Sequence, residues 1–102
     1  MLNPQYTLRE HLIARKACRK ALKWLGDRDL QTAWDECPNG DWMAWACKQM
    51  AYNASSLLDH QDIHEADYYL LCIKGGGFPE EIRIAQQKLA DAIRLHFPKP
   101  PF

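Results

Sequence analysis

The sequence predicts an all-α protein, a compact bundle of four to five helices in a single domain over residues 1–102. Apolar residues recur at three- and four-residue spacing along most of the chain, and capping signals precede these stretches. No stretch shows the strict alternation of apolar and polar residues that is typical of a half-buried strand. With 47% hydrophobic and 25% charged residues, the chain can bury one core, and its composition argues against disorder.

The first predicted helix covers residues 7–25. Thr7 and Glu10 have the spacing of a capping box, and Gly26 supplies a natural stop. The apolar stripe of this helix consists of Leu8, Ala14, Ala17, Cys18, Ala21, Leu22 and Leu25. We expect the basic residues of the segment to lie mostly off this stripe.

Two further helices are predicted on either side of a Pro-Asn-Gly turn at residues 38–40. Asp29 is expected to cap a helix over 30–36, which ends there because the residue before a proline resists helical geometry. Asp41 is expected to cap the next helix, over about 42–58.

The fourth predicted helix follows Asp62 and Glu65, which repeat the capping-box spacing. Its apolar stripe runs over residues 63–73, and the glycines at 75–77 close it. We therefore place a second turn between this helix and the last one.

The fifth predicted helix covers residues 79–97. Pro79 suits the first turn of a helix, and the negative charges of Glu80 and Glu81 suit its positive N-terminal end. The tail, residues 98–102, is expected to be extended and to lie on the surface. Because the connections are short, we expect consecutive helices to pack as antiparallel neighbours.

Charge is distributed unevenly along the chain, although 13 basic and 13 acidic residues balance overall. Segment 7–25 has six basic residues and one acidic residue, a net +5, and the remainder has seven basic and twelve acidic residues, a net −5. The candidate partner-binding residues, called here the basic face, are Arg9, Arg15, Lys16, Arg19, Lys20 and Lys23. They either form a solvated face that balances the acidic remainder, or bind an acidic protein partner or nucleic-acid phosphates.

Three tryptophans lie within residues 34–45, at Trp34, Trp42 and Trp45. One interpretation is a stiff corner between two helices, filled by Trp34 and Trp42, in which the indole N–H groups need acceptors. The other is an aromatic anchor for a partner, since tryptophan is common at interface hot spots.

The sequence also resembles a group of small phage and bacterial helical proteins, some of them described as immunity-protein-like domains. The resemblance is carried by Ala21–Trp24, Leu30–Cys37, Gly40–Trp45 and the end from Ala90 to Pro98, and it centres on the stretch Trp-Asp-Glu-Cys-Pro-Asn-Gly-Asp-Trp-Met-Ala-Trp. It implies a helical domain and supplies no catalytic residues.

His60 and His64 are candidates for metal ligands because they are four residues apart among acidic residues. The capping signal at Asp62 places a helix start between them, so that they would not share one helix face. We predict a solvated acidic loop, and no metal ion or other cofactor.

The four cysteines, Cys18, Cys37, Cys47 and Cys72, are expected to be free thiols that act as small buried apolar residues. Their spacings fit no zinc-finger frame. A thiol site with Cys37 or Cys47 near Asp41 is conceivable, but nothing in the sequence brings these residues together. We therefore do not expect an enzyme.

The predicted function is that of a protein-binding module, a phage- or immunity-type inhibitor comparable to anti-CRISPR proteins. Its partner would be a host defence complex or a toxin. The alternative is an accessory protein that binds nucleic-acid phosphates through the basic first helix. No apolar run is long enough to cross a bilayer and no signal-peptide pattern opens the chain, so we expect no membrane partner and a cytoplasmic location.

Overall fold

The computed structural model describes residues 5–50 and 54–102, and the side chains of all of them except residues 54–56. These residues form α1 (Leu8–Ala14), α2 (Arg19–Leu25), α3 (Leu30–Glu36), α4 (Gly40–Met50), a 3₁₀ helix (Ala54–Asp59), α5 (Gln61–Ile73) and α6 (Pro79–His96). No strand occurs within the described ranges. The all-α class is confirmed, but the expected four to five helices are too few, because the described part already holds six α-helices.

The segment predicted as one helix over residues 7–25 forms two helices, because the chain turns at Lys16. The Lys16 N–H donates to the carbonyl oxygen of Ile13 at 3.0 Å, and the Ala17 N–H donates to that of Leu12 at 3.0 Å. Lys16 itself adopts the left-handed conformation, with φ at 62°. These two hydrogen bonds form a Schellman motif, in which the left-handed residue is usually glycine. Because the residue here is lysine, the sequence contains no signal that the helix ends at this point.

Three of the expected helix boundaries are confirmed. Thr7 and Glu10 form a reciprocal capping box at the start of α1. The Asp29 carboxylate accepts the Thr32 N–H at 2.8 Å and caps α3. Gly26 ends α2 with a φ of 52°, a backbone geometry that glycine adopts without strain.

Helix α4 starts two residues earlier than expected, and Asp41 is not its cap. The Asn39 side-chain oxygen accepts the Asp41 N–H at 3.0 Å, so the turn is closed by Asn39, and Gly40 is the first helical residue. The helix expected over 42–58 is also not continuous, since a 3₁₀ helix occupies its last residues. The part of that prediction at 51–53 lies outside the described residues.

The capping box expected at Asp62 and Glu65 is absent, because α5 begins before it, at Gln61. His60 takes the cap position without a side-chain cap bond. The Asp62 carboxylate instead accepts a hydrogen bond of 2.7 Å from His96. The Asp62 carboxylate, which the spacing predicted as a local helix cap, therefore bonds to a histidine on α6 instead.

The core lies along α6, which packs against α5 and α4. Its most deeply buried side chains are Cys47, Ile63, Leu70, Leu89 and Ile93. Gly40 permits the close approach of α4, since a Cβ at this position would lie 2.5 Å from the Leu89 Cβ and 2.5 Å from the Ala90 nitrogen. The expectation that neighbours in sequence pack together therefore holds for α5 with α6, whereas α4 packs against a helix that is distant in sequence.

Helix α6 and the tail have nearly the predicted bounds, but the tail makes contacts that were not predicted. The helix begins at Pro79 and ends at His96, with Phe97 as its C-terminal cap residue. The tail at 98–102 is non-helical, as expected, but it packs against α3: the Pro98 carbonyl accepts a hydrogen bond from Gln31 and the Phe102 ring meets the Trp34 ring edge-on.

Several large apolar side chains remain on the surface of α5 and the loop that follows it, namely Tyr68, Tyr69, Leu71 and Phe78. None of the helices in the described ranges combines the length and the apolar composition that crossing a bilayer would require.

Candidate functional site

Half of the basic face lies on α2. Arg19, Lys20 and Lys23 are exposed, and residues at these spacings fall within roughly 100° around a helix axis. None of the three forms an ion pair with a residue that the structure describes. Their charges are therefore available to a partner on one side of α2.

The two arginines at either end of α1 contact the backbone instead. The Arg9 guanidinium donates to the carbonyl oxygen of Leu22 at 2.8 Å and so ties α1 to α2. The Arg15 guanidinium donates to the carbonyl oxygen of His11 at 3.3 Å. Lys16 lies exposed in the turn between the helices. The six predicted residues thus do not share one helix face: Arg9 ties α1 to α2, Arg15 bonds within α1, one forms the turn, and three line α2.

Trp34 belongs to the core and is only 4% exposed. Its indole N–H donates to the carbonyl oxygen of Phe97 at 2.7 Å. Arg94 of α6 also bonds to the segment around Trp34: its guanidinium donates to the carbonyl oxygens of Trp34 at 3.1 Å and Cys37 at 2.7 Å. Trp34 therefore offers a partner almost no surface. The role of Arg94 could not be recognised from the sequence, because its acceptors lie on a distant part of the chain.

Trp42 and Trp45 are half-buried and line an apolar groove of about 580 Å³. The groove is bordered mainly by α1, α2, α3 and α4, with Leu12 and Trp24 on the N-terminal side. The rings of Trp24 and Trp42 meet at a centroid distance of 6.2 Å. Lys16 also lines this groove, so part of the basic face borders all three candidate tryptophans, of which Trp34 is almost fully buried.

The histidines give no metal centre. The His60 ring stacks on that of His96 with a centroid distance of 4.1 Å, and His96 pairs with Asp62. Burial acts to raise the pKa of Asp62, but the hydrogen bond and charge of His96, together with hydrogen bonds from the backbone of Ile63 and Asp62, lower that pKa overall. His64 is exposed. Among the described residues, no three histidine, cysteine, aspartate or glutamate side chains are arranged to hold a metal ion.

The cysteines divide into two classes, so the expectation that all four are buried is wrong. Cys37 and Cys47 are buried, whereas Cys18 and Cys72 are exposed, and all four are free thiols. Burial raises the pKa of Cys47 to about 12 and also raises the pKa of Cys37. Neither buried thiol is therefore a thiolate near neutral pH, which is the form that a nucleophile requires.

Comparisons of the chain with protein-family models, with curated proteins and with solved structures gave no match. The resemblance to phage and bacterial immunity-type proteins stays a prediction, and the function has to be argued from the residues of this chain.

Proposed function

We propose that the domain is a non-enzymatic protein-binding module whose α2 cations and neighbouring tryptophans hold an acidic protein partner. The observation that carries the proposal is that Arg19, Lys20 and Lys23 are exposed and unpaired with any described residue, on a helix that borders the Trp-lined groove. We further propose a phage- or immunity-type inhibitor that acts in the cytoplasm on a host defence complex or a toxin.

The chemistry of this surface suits a protein partner. Arginine and tryptophan are enriched among the residues that dominate binding energy at protein interfaces. Surface cations steer a partner of opposite charge and fix its orientation more than they increase affinity. The half-buried Trp42 and Trp45 supply the apolar area that a charge-only contact lacks. Orientation by charge would then come from α2, and apolar contact area from the groove that α2 borders.

A nucleic-acid-associated accessory protein is the second candidate, and the same three unpaired cations favour it. The acidic remainder of the chain, with a net charge of −5, opposes binding to a long polyanion. Salt separates the two candidates, since affinity for a phosphate backbone falls steeply with salt concentration, whereas the apolar contacts of Trp42 and Trp45 persist when salt screens the α2 cations.

The test is an affinity capture from lysate of the native host, carried out in parallel with and without nuclease treatment. The bait is the wild-type domain or a triple variant with Arg19→Glu, Lys20→Glu and Lys23→Glu, and Lys99→Glu on the exposed tail serves as a charge-reversal control. We expect one protein to be retained by wild type and by Lys99→Glu, and to be recovered at least about tenfold less on the triple variant. Retention that is unchanged in the triple variant would overturn the proposal, and retained material that nuclease removes would support the second candidate.

A further inference from the structure

A second depression, of about 680 Å³, lies where α2, the turn before α4 and the middle of α6 meet. We call it the α2–α6 cleft. Its lining includes Lys20, Trp42, Arg83, Ile84 and Lys88, together with a proline and three side-chain amides, and contains no acidic residue. Trp42 lines both this cleft and the groove, and Lys20 belongs to both the cleft and the basic face. The fold thus places α6 residues next to Lys20 of the basic face and Trp42, although the sequence analysis did not identify them as candidate site residues.

Two of the cleft's three cations remain uncompensated. Arg83 pairs with Glu80 one turn earlier on α6. The nearest acid in sequence to Lys88 on its own helix is Asp91, whose carboxylate oxygen already accepts hydrogen bonds from Gln87 and Arg94. Neither Lys20 nor Lys88 forms an ion pair within the described part of the chain. The cleft therefore presents two free ammonium groups, one from each wall.

Between these cations the cleft has apolar and amide surface. Ile84 is 45% exposed, although it lies on the amphipathic helix that forms the core, and the half-buried Trp42 adds an aromatic surface. The side-chain amides of Asn39 and Gln86 line the same space. An amide can both donate to and accept from a peptide backbone. The cleft thus offers partners for carboxylates, an apolar side chain and a backbone.

We infer that the α2–α6 cleft binds an acidic segment of the partner, with carboxylates at Lys20 and Lys88 and an apolar side chain against Trp42 and Ile84. This inference rests on the proposed function and names the chemistry of the partner. A nucleic acid fits the cleft less well, because affinity for its backbone accumulates over many phosphate contacts, on the order of six to ten in a DNA-binding protein, and the cleft offers two free cations. Two lysines around an apolar floor match a short acidic peptide.

The first experiment uses a short synthetic peptide of aspartate and glutamate with a central Leu-Phe pair. It is titrated into the ¹⁵N-labelled domain, with three comparison probes: the peptide with Ala-Ala in place of Leu-Phe, the peptide with lysines in place of the acids, and an oligo-dT strand. We expect chemical-shift changes at Lys20, Ile84, Lys88 and the Trp42 indole N–H with the acidic Leu-Phe peptide, and markedly weaker ones with each comparison probe. Changes confined to other residues, no changes, or tighter binding of oligo-dT in the cleft would overturn the inference.

The second experiment reverses the charges on both sides. The double variant Lys20→Glu with Lys88→Glu should bind the acidic peptide about tenfold more weakly and should bind the lysine peptide more tightly than wild type does. Lys99→Glu should change neither affinity. A loss of acidic-peptide binding without a gain for the lysine peptide would count against direct pairing in the cleft.

The two proposals can fail separately. Lys88→Glu and Ile84→Ala lie outside the basic face, so each can also be used as bait in the lysate capture. Partner lost on the α2 triple variant but retained on both of these variants would overturn the cleft and leave the proposed function standing. A partner that is retained on every variant would overturn both.

Discussion

The indole N–H of Trp34 donates a 2.7 Å hydrogen bond to the carbonyl oxygen of Phe97, and this bond joins α3 to the residue that ends α6. The Trp34 ring is nearly buried, and the Phe102 ring meets it edge-on at 6.0 Å. The donor and its acceptor are 63 residues apart in the sequence. This hydrogen bond therefore joins two segments that are distant in sequence and that no local signal connects.

Replacing Trp34 by Phe should lower the free energy of unfolding by about 1–3 kcal/mol, because it removes the donor and leaves the Phe97 carbonyl without it. Urea denaturation measures the change. Trp45→Phe is the matched control, since Trp45 is half-buried and its indole N–H makes no hydrogen bond to a described residue. We expect the control to cost less than about 1 kcal/mol. Equal losses for the two variants would contradict a special role for the Trp34 bond.

The turn at Lys16 predicts opposite effects for two glycine substitutions. Lys16→Gly should leave stability unchanged or raise it by up to about 1 kcal/mol, because a non-glycine residue is disfavoured at φ 62°. Lys20→Gly, inside α2, should cost about 0.5–1 kcal/mol. Thermal unfolding by circular dichroism compares the two variants. If residues 7–25 formed one continuous helix, both substitutions would destabilise it to a similar degree.

Thiol reactivity should separate the four cysteines into pairs. The exposed Cys18 and Cys72 should react with an aromatic disulfide reagent in the folded protein. Cys37 and Cys47 should react only after denaturation, because burial excludes the reagent and raises their pKa values. A variant with Cys18→Ser and Cys72→Ser should therefore show no fast-reacting thiol. Fast labelling of that variant would show that the core opens readily.

The Asp29 cap should make stability depend on pH at the acidic end. The Thr32 N–H bond lowers the pKa of Asp29 in the folded protein. The ionised Asp29 therefore contributes its full stabilisation of the folded state above the pKa of aspartate in the unfolded chain, about 3.9. This stabilisation is lost as the pH falls through the lower pKa of Asp29 in the folded protein. Asp29→Asn keeps a capping oxygen but does not titrate.

We therefore expect the melting temperature of wild type to fall more than that of Asp29→Asn between about pH 6 and pH 2.5. The comparison has to be made in one buffer series at constant ionic strength, so that only protonation changes. Parallel curves for the two proteins would mean that the ionised form of Asp29 contributes nothing beyond a neutral cap.

Local signals predicted the parts of the fold that local physics determines. Asp29 before an apolar stripe predicted α3, and Pro79 followed by two glutamates predicted α6, because cap and dipole effects act within one turn. Prediction was wrong at Lys16 and Asp62 for physical reasons. At Lys16 the chain forms a glycine-type turn with a non-glycine residue, and at Asp62 a distant histidine takes the capping carboxylate.

For the candidate site, the sequence predicted which residue types are present but not how they are arranged in space. The basic residues of segment 7–25 could be recognised from charge alone. Charge could not show that Arg9 and Arg15 donate hydrogen bonds to backbone carbonyls, or that Lys20 lies near α6 residues. Lys88 lies far from Lys20 in sequence, and no periodicity within one helix relates two residues on different helices. The depth of Trp34 likewise depends on contacts with α6 and the tail.

The position of α6 at the centre of the core has a consequence for synthesis on the ribosome. Helices α3 and α4 are made early, yet many of the contacts that cover them come from residues 85–97 of α6 and its C-terminal cap. A nascent chain therefore carries uncovered apolar faces until α6 has emerged, a state in which exposed apolar surface can aggregate. Force-profile measurements on stalled chains should show one late folding event after Phe97 leaves the exit tunnel, and an early event near the end of α4 would contradict this order.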